Sequence, residues 1–146
     1  MEFEIQALRL AGLVLLAGAL ACPIGWQRHL AGRPAGVRTH ALVSMAACMF
    51  TLAGVYGFGG PTEARDPTRI AAQVVTGIGF LGAGTIFRAR DTIRGLTTAA
   101  TIWFAAAQGL LVAAGLPLVA ALSTVLAFIV LMAAGRIEEI GPGDGD

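Results

Sequence analysis

Five apolar runs, each close to twenty residues long, leave this chain few ways to fold. They run approximately from Ile5 to Gly25, Val37 to Phe58, Pro67 to Phe87, Leu96 to Ala114 and Leu116 to Ala134. A hydrocarbon core of about 30 Å takes roughly 20 helical residues to cross, at about 1.5 Å of rise each. Within lipid every backbone N–H and C=O must be paired inside its own segment, so such runs become helices. Of the 146 residues 56% are hydrophobic and 13% charged, too apolar a mix for a soluble domain of this length. The reading is an all-α membrane protein, a bundle of five transmembrane helices over residues 1–136, with 137–146 as a short polar tail.

Charge then orients the bundle. All ten basic residues are arginines, set against nine acids, and a net charge of +1 gives no argument for nucleic-acid binding. Arg28, Arg33 and Arg38 flank the first loop, Arg88, Arg90 and Arg94 occupy the third, and Arg136 follows the fifth run. Excess arginine marks the cytoplasmic side, which predicts an outer N-terminus and a cytoplasmic C-terminus. The start, Met1-Glu2-Phe3-Glu4, is acidic where a secretory signal would be basic, so the first run is expected to stay as a helix. Cys22 and Cys48 stand inside apolar runs without metal-ligand spacing and read as small buried hydrophobes.

The stretch Thr76 to Gly84, TGIGFLGAG, sets Gly77, Gly79 and Gly82 in the spacing of a dinucleotide-binding loop. That loop needs a strand before it and an acid about 20 residues on. Here the run is embedded in uncharged sequence, and the first acid after it is Asp91. In lipid, small side chains let helix backbones approach closely. Ala72, Thr76, Gly79 and Ala83 form one small stripe, with Gly77 and Gly84 on another side, so this helix is expected at the centre of the bundle. A second use stays open, in which a partly opened glycine-rich helix offers carbonyls to an ion. Ala17, Ala19 and Ala21 in the first run, and Ala105, Ala107 and Gly109 in the fourth, permit close packing within the bundle or between protomers.

Asp66-Pro67-Thr68 has the form of a helix start, with Asp as cap and Pro at the first helical position. The functional alternative is an outer-side charge network of Asp66, Arg69 and Arg9 that gates or binds an ion, with Glu63 as a second oxygen donor. Magnesium takes about six oxygens and keeps several waters, so these groups would make a weak, hydrated site; no other metal site or cofactor is indicated. Arg9 lies about a turn inside the first run and can also snorkel to the interface. On the other side Arg28, Arg33, Arg38, His40, Arg88, Arg90 and Arg94 form a basic cluster. Positive-inside topology accounts for it; binding of anionic lipid heads or an acidic partner surface is the functional option. His40 and Ser44 share one helical face, but no hydrolase motif surrounds them and no enzymatic activity is expected. Gln73 and Gln108 are expected to hydrogen-bond between helices.

The blocks PIGWQRHLAGRPAGVRTHALVSMAACMF, DPTRIAAQVV and TIFRARDTIRGLTTAATIW, in that order around the glycine run, resemble the membrane domain of the MgtC/SapB family over roughly residues 8 to 134. The resemblance implies a bacterial inner-membrane protein of magnesium homeostasis, tied in pathogens to survival inside macrophages. Asp66 resembles the family's characteristic acid in its block. Gln27 and His29 stand where the family usually and often, respectively, carries an acid. Many members also have a soluble domain after the fifth helix, and functions that depend on it are not expected of this chain. The implied role is adaptation to low Mg²⁺ through regulation of other membrane proteins or of the membrane potential, with transport of Mg²⁺ or another ion as the alternative. The expected partners are the lipid bilayer, a second copy in a homodimer and another membrane protein such as an ion-translocating ATPase, with no nucleic acid.

Overall fold

The computed structural model describes residues 1–57, 66–89 and 92–140, with side chains at all of these except 67, 134 and 136–140. Five helices follow one another: α1 (Glu2–Leu30), α2 (Val37–Leu52), α3 (Pro67–Ala83), α4 (Leu96–Ala113) and α5 (Pro117–Ile140). The last turn of α2 passes into a π-helical turn, Ala53–Gly57. Between α3 and α4 two short strands, β1 (Phe87–Ala89) and β2 (Thr92–Arg94), pair antiparallel with Phe87 opposite Arg94.

Each apolar run is a helix, but several boundaries differ from the sequence reading. Helix α1 has 29 residues, roughly 43 Å at 1.5 Å per residue, and carries Trp26, Gln27, Arg28 and His29 as helix instead of loop. It closes at Ala31, whose N–H bonds to Gln27 O, and Gly32 then takes a positive φ of 65° to turn the chain. The third run ends as helix at Ala83, and the segment expected as a loop from Arg88 to Gly95 contains the hairpin. Helix α5 continues through residues 137–140, which had been assigned to the tail, while 141–146 lie outside the described residues.

Three of these helical stretches are long and apolar enough to cross a membrane: Glu2–Leu30, Val37–Gly57 and Leu96–Ala113. Helix α3, with 17 residues, measures roughly 25 Å, short of a hydrocarbon core of about 30 Å.

The core sits where α2 packs between α1 and α4. Small residues make this possible. Ala17 and Ala21 of α1 and Ala105 of α4 are fully buried. Gly25 of α1 lies against the start of α2, where an added Cβ would stand 2.6 Å from Val37 Cα. At Gly109 of α4 a Cβ would collide with the carbonyl oxygen of Ser44 and come within 2.9 Å of Ala47 Cβ and Cys48 N. Cys48 is fully buried and Cys22 partly so; both are free thiols.

The glycine run does not hold the centre of the bundle. Of the small residues in that run Gly82 is buried, against Ala99, whereas Thr76, Gly77, Gly79, Ala83 and Gly84 are exposed. Helix α3 instead flanks α4 through Val74 and Ile78, which join Ala35, Val43, Ala47, Ile102 and Ala106 in one apolar cluster.

Candidate functional site

Inside this apolar bundle runs a seam of buried polar side chains. On α2, His40 and Ser44 are fully buried one helical turn apart, and Thr51 lies further along the same helix. Thr98, Thr101 and Gln108 are buried on α4, Thr124 on α5 and Arg28 near the end of α1. A polar group in a membrane bundle is costly unless it is hydrogen-bonded, so its partners account for its presence.

Most of the seam is closed by bonds to helix carbonyls. Ser44 Oγ donates to Ala17 O at 2.8 Å, joining α2 to α1. Thr51 Oγ1 donates to Ala47 O at 2.8 Å and Thr101 Oγ1 to Thr98 O at 2.9 Å, each within its own helix. Gln108 Nε2 donates to Thr124 Oγ1 and reaches Leu20 O at 3.4 Å, and Thr124 Oγ1 lies 2.9 Å from Ala120 O and 3.3 Å from Leu20 O. Three helices, α1, α4 and α5, thus meet at one amide and one hydroxyl. Pro23 is only three residues beyond Leu20 in α1. Lacking an N–H, it leaves the carbonyl of Ala19, next to Leu20, without its intrahelical donor.

Among the described residues, His40 Nε2, Gln108 Oε1 and Gln27 Oε1 of the seam and its rim have no hydrogen-bond partner. His40 Nδ1 lies 2.8 Å from Gly36 O, so it carries a hydrogen and the neutral ring presents Nε2 as an acceptor. Ser44 gives its hydrogen to Ala17 O. The shared face of His40 and Ser44 therefore builds helix contacts, and neither side chain addresses the other.

The sequence-level sites fall at the two ends of the seam. At one end, α1 begins and α2 finishes: Arg9 is exposed and lines a hollow of about 310 Å³ with Glu2, Gln6 and Tyr56. Asp66 is exposed and caps α3, accepting from Thr68 N at 3.0 Å and from Thr68 Oγ1. These two hydrogen bonds, the side-chain one first, hold its carboxyl below the ordinary value of 3.8, and the charge of Arg69 adds to them. Arg69 is itself exposed. The role seen for Asp66 is the helix cap. Glu63 and Arg65 lie outside the described residues, as do Arg90 and Asp91.

At the other end the basic cluster divides. Arg33, Arg38, Arg88 and Arg94 are exposed, whereas His40, expected among them, is 0% exposed within the bundle and Arg28 only 6%. The reason is α1's extra turn, which brings Arg28 over the start of α2 at the Gly25–Val37 contact. Arg28, Arg33 and Arg94 line one cavity of about 260 Å³ with the first turn of α4; Arg33 and Arg38 line a neighbouring one of about 520 Å³ with His29.

Of the two glutamines expected to bond between helices, Gln108 does so and Gln73 is exposed. Thr98, Thr101 and Thr124 were not singled out from the sequence. A threonine in a helix can satisfy itself on a preceding carbonyl, so it leaves no hydropathy signal of its own. No group of three or more His, Cys, Asp or Glu side chains comes together among the described residues.

Comparison with known proteins adds an independent line. The model of the MgtC family matches residues 14–140. The chain is 43% identical over 122 residues to YhiD of Escherichia coli K12, named "Putative magnesium transporter", covering 80% of this chain and 57% of that protein. It is 47% identical over 116 residues to protein MgtC of Brucella abortus, covering 80% and 45%, and 48% identical over 101 residues to protein MgtC of Salmonella typhimurium, covering 69% and 40%. The chain thus spans about half the length of the curated relatives it matches. No solved structure matches it.

Proposed function

Because the chain belongs to the MgtC family, we propose that it is a multi-pass protein of the bacterial inner membrane that serves adaptation to low Mg²⁺ by regulating other membrane proteins or the membrane potential. The arginine-rich end, with Arg28, Arg33, Arg38 and Arg94, faces the cytoplasm in this reading, and the N-terminus faces outward.

The observation that carries a regulatory role over conduction is the chemistry of the seam. A Mg²⁺ path needs several oxygen ligands and negative charge to offset dehydration. Among the described residues the buried polar groups are five hydroxyls, four of them (Ser44, Thr51, Thr101 and Thr124) bonded to helix carbonyls, with one carboxamide, one imidazole and one guanidinium. A buried arginine opposes a cation, and hydroxyls held by carbonyls are not free to replace water around it. The same commitment of Ser44 and His40 supports a role without catalysis.

Transport of Mg²⁺ is the second reading, favoured by the name of the Escherichia coli relative. The two separate in proteoliposomes of the purified protein under an imposed potential. Regulation predicts no Mg²⁺ flux above empty liposomes, together with restored growth of a family-deficient strain in low Mg²⁺. Uptake by the parent that disappears in Asp66→Asn would instead establish transport and put Asp66 on its path. Gln27→Glu, tested beside the parent in the same growth assay, reads out whether the family's acid at that position matters.

A homodimer completes the proposal. Ala72, Thr76, Gly79 and Ala83 leave an outer face of α3 on which another helix backbone could approach closely, and a second copy is the partner assigned to it.

A further inference from the structure

We propose that the β1–β2 hairpin is a membrane-surface anchor. It lies in the headgroup zone of the leaflet at the basic end, with Phe87 and Ile93 at the acyl boundary and the guanidinium of Arg94 at the level of the phosphates. The inference rests on the multi-pass reading and is independent of whether the protein regulates or transports. The hairpin joins α3 to α4, and its register sets Phe87 opposite Arg94 and Arg88 opposite Ile93. Directly opposed residues share a face of the ribbon, so each face carries one large apolar side chain beside one arginine. Phe87 is 55% exposed and Ile93 63%, and Ile86 and Leu96, which flank the strands, are exposed as well.

That composition excludes two environments. In water, Ile86, Phe87, Ile93 and Leu96 would form an exposed apolar patch around one short hairpin. In hydrocarbon, the outer edges of a two-stranded sheet would leave N–H and C=O groups unpaired, and the arginines would carry charge into lipid. The headgroup zone suits both kinds of group: it offers water and phosphate to the polar ones and an acyl boundary to the apolar ones.

Helix length sets the hairpin at that depth. Helix α3 measures roughly 25 Å and α4, with 18 residues, roughly 27 Å, so neither carries its end beyond a hydrocarbon core of about 30 Å. Strands of three residues add about 10 Å at most, close to the depth of a headgroup zone of about 5–7 Å on each side. The base of the hairpin is fixed. Thr85 N–H donates to Gly82 O and Ile86 N–H to Ala83 O, each at 3.0 Å, which ties the approach to the end of α3. Gly95, at φ 91°, closes against the same segment, since a Cβ there would collide with Thr85 O and stand 3.2 Å from Ile86 Cα. From Ile86 the exposed apolar surface runs on into Phe80 and Leu81 of α3, which face lipid in the multi-pass reading.

The test places single tryptophans in the full chain in nanodiscs and reads their quenching by phospholipids brominated either next to the headgroup or deep in the acyl chain. In Trp26→Phe the remaining Trp103, exposed near the middle of α4, is the depth reference. Adding Trp103→Phe and Ile93→Trp moves the indole to the hairpin. The introduced indole is expected to be quenched at least about twofold more by shallow than by deep bromine, and Trp103 in the reverse order. Phe87→Trp, on the other face of the ribbon, should give the same order as Ile93→Trp and replaces it where that variant does not fold. Introduced indoles that neither bromine quenches, while Trp103 responds to the deep one, overturn the inference and leave the multi-pass reading standing, because the hairpin then projects into water. Stronger quenching of them by deep bromine also overturns it. Absence of quenching at Trp103 itself would remove the multi-pass reading and the inference with it.

Discussion

At Gly109 of α4 an added Cβ would strike the backbone of α2, whereas at Gly77 and Gly79 of α3 it would meet nothing within 4 Å. Both helices carry small residues at spacings that suit close packing, and the TGIGFLGAG run is the richer of the two. Yet the tight crossing forms around AAAQGL, where alanines and one glycine face Ser44, Ala47 and Cys48. Small residues thus permit contact without choosing a partner. In α4 the choice is made by what lies beside the small face: Gln108, bonded across to α5 and α1, and Thr98 and Thr101, buried along the same helix. Helix α3 offers its small face with Gln73 exposed and without a described side-chain hydrogen bond to another helix.

The largest expected effect comes from removing that distinction on the α4 side. Gly109→Val should destabilise the fold by about 3 kcal/mol, because backbone atoms of Ser44 and Cys48 cannot move aside as a flexible side chain could. Reversible denaturation in mixed micelles, followed by helical circular dichroism, measures it; a stability equal to the parent's would mean that the crossing is not tight. Gln108→Leu, which cuts the link from α4 to Thr124 and Leu20, should cost about 1 kcal/mol by the same assay, the scale of interhelical hydrogen bonds in membranes. On the α3 side Gly79→Leu should leave the stability of the single chain within about 0.5 kcal/mol. If a second copy uses this face, the same variant converts dimer to monomer in a detergent-corrected mass measurement, and a dimer that persists removes α3 from the interface.

The smallest effect is expected at the cap of α3. Asp66 is fully exposed, and Thr68 holds its carboxyl below the ordinary value of 3.8. A depressed carboxyl stabilises the folded helix end at pH values above the ordinary value. That contribution fades as pH falls below 3.8 through the folded pKa. Amide exchange at Thr68 and Arg69 should accelerate over that acid window relative to the rest of α3, and Asp66→Ala should remove the pH dependence. Asp66→Asn retains a capping oxygen and should protect the helix end at all pH values, which makes its effect on ion flux informative about charge and not about folding.

Which parts of the molecule were legible in advance follows from the range of the forces involved. The starts of α2, α3 and α4 at Val37, Pro67 and Leu96 coincide with the first residues of the apolar runs, and at α3 the Asp66-Pro67 cap is a local signal. The end of α1 was placed too early, since Trp26 to His29 is polar enough to look like loop while still completing a helix whose last turn packs on α2. The hairpin at Phe87–Arg94 was read as loop: two strands of three residues are too short for alternation to register. For the candidate site, Gln108 was recognisable as an uncharged amide in an apolar run. The burial of His40 and Arg28 was not, because both sit among exposed arginines in the sequence.

Five apolar helices, the first residues of most of them and the gathering of positive charge at one end of the bundle were already written in the sequence. These follow from hydropathy, capping and charge, which act within a few residues of one another along the chain. The place of α2 between α1 and α4, the outward turn of the glycine run and the meeting of Arg28, Arg33 and Arg94 at one cavity came from long-range packing. Among helices of nearly equal apolarity, the winning arrangement depends on backbone approach at a few positions such as Gly25 and Gly109 and on hydrogen bonds between residues as far apart as Leu20 and Thr124. Neither quantity is a property of any single stretch of sequence.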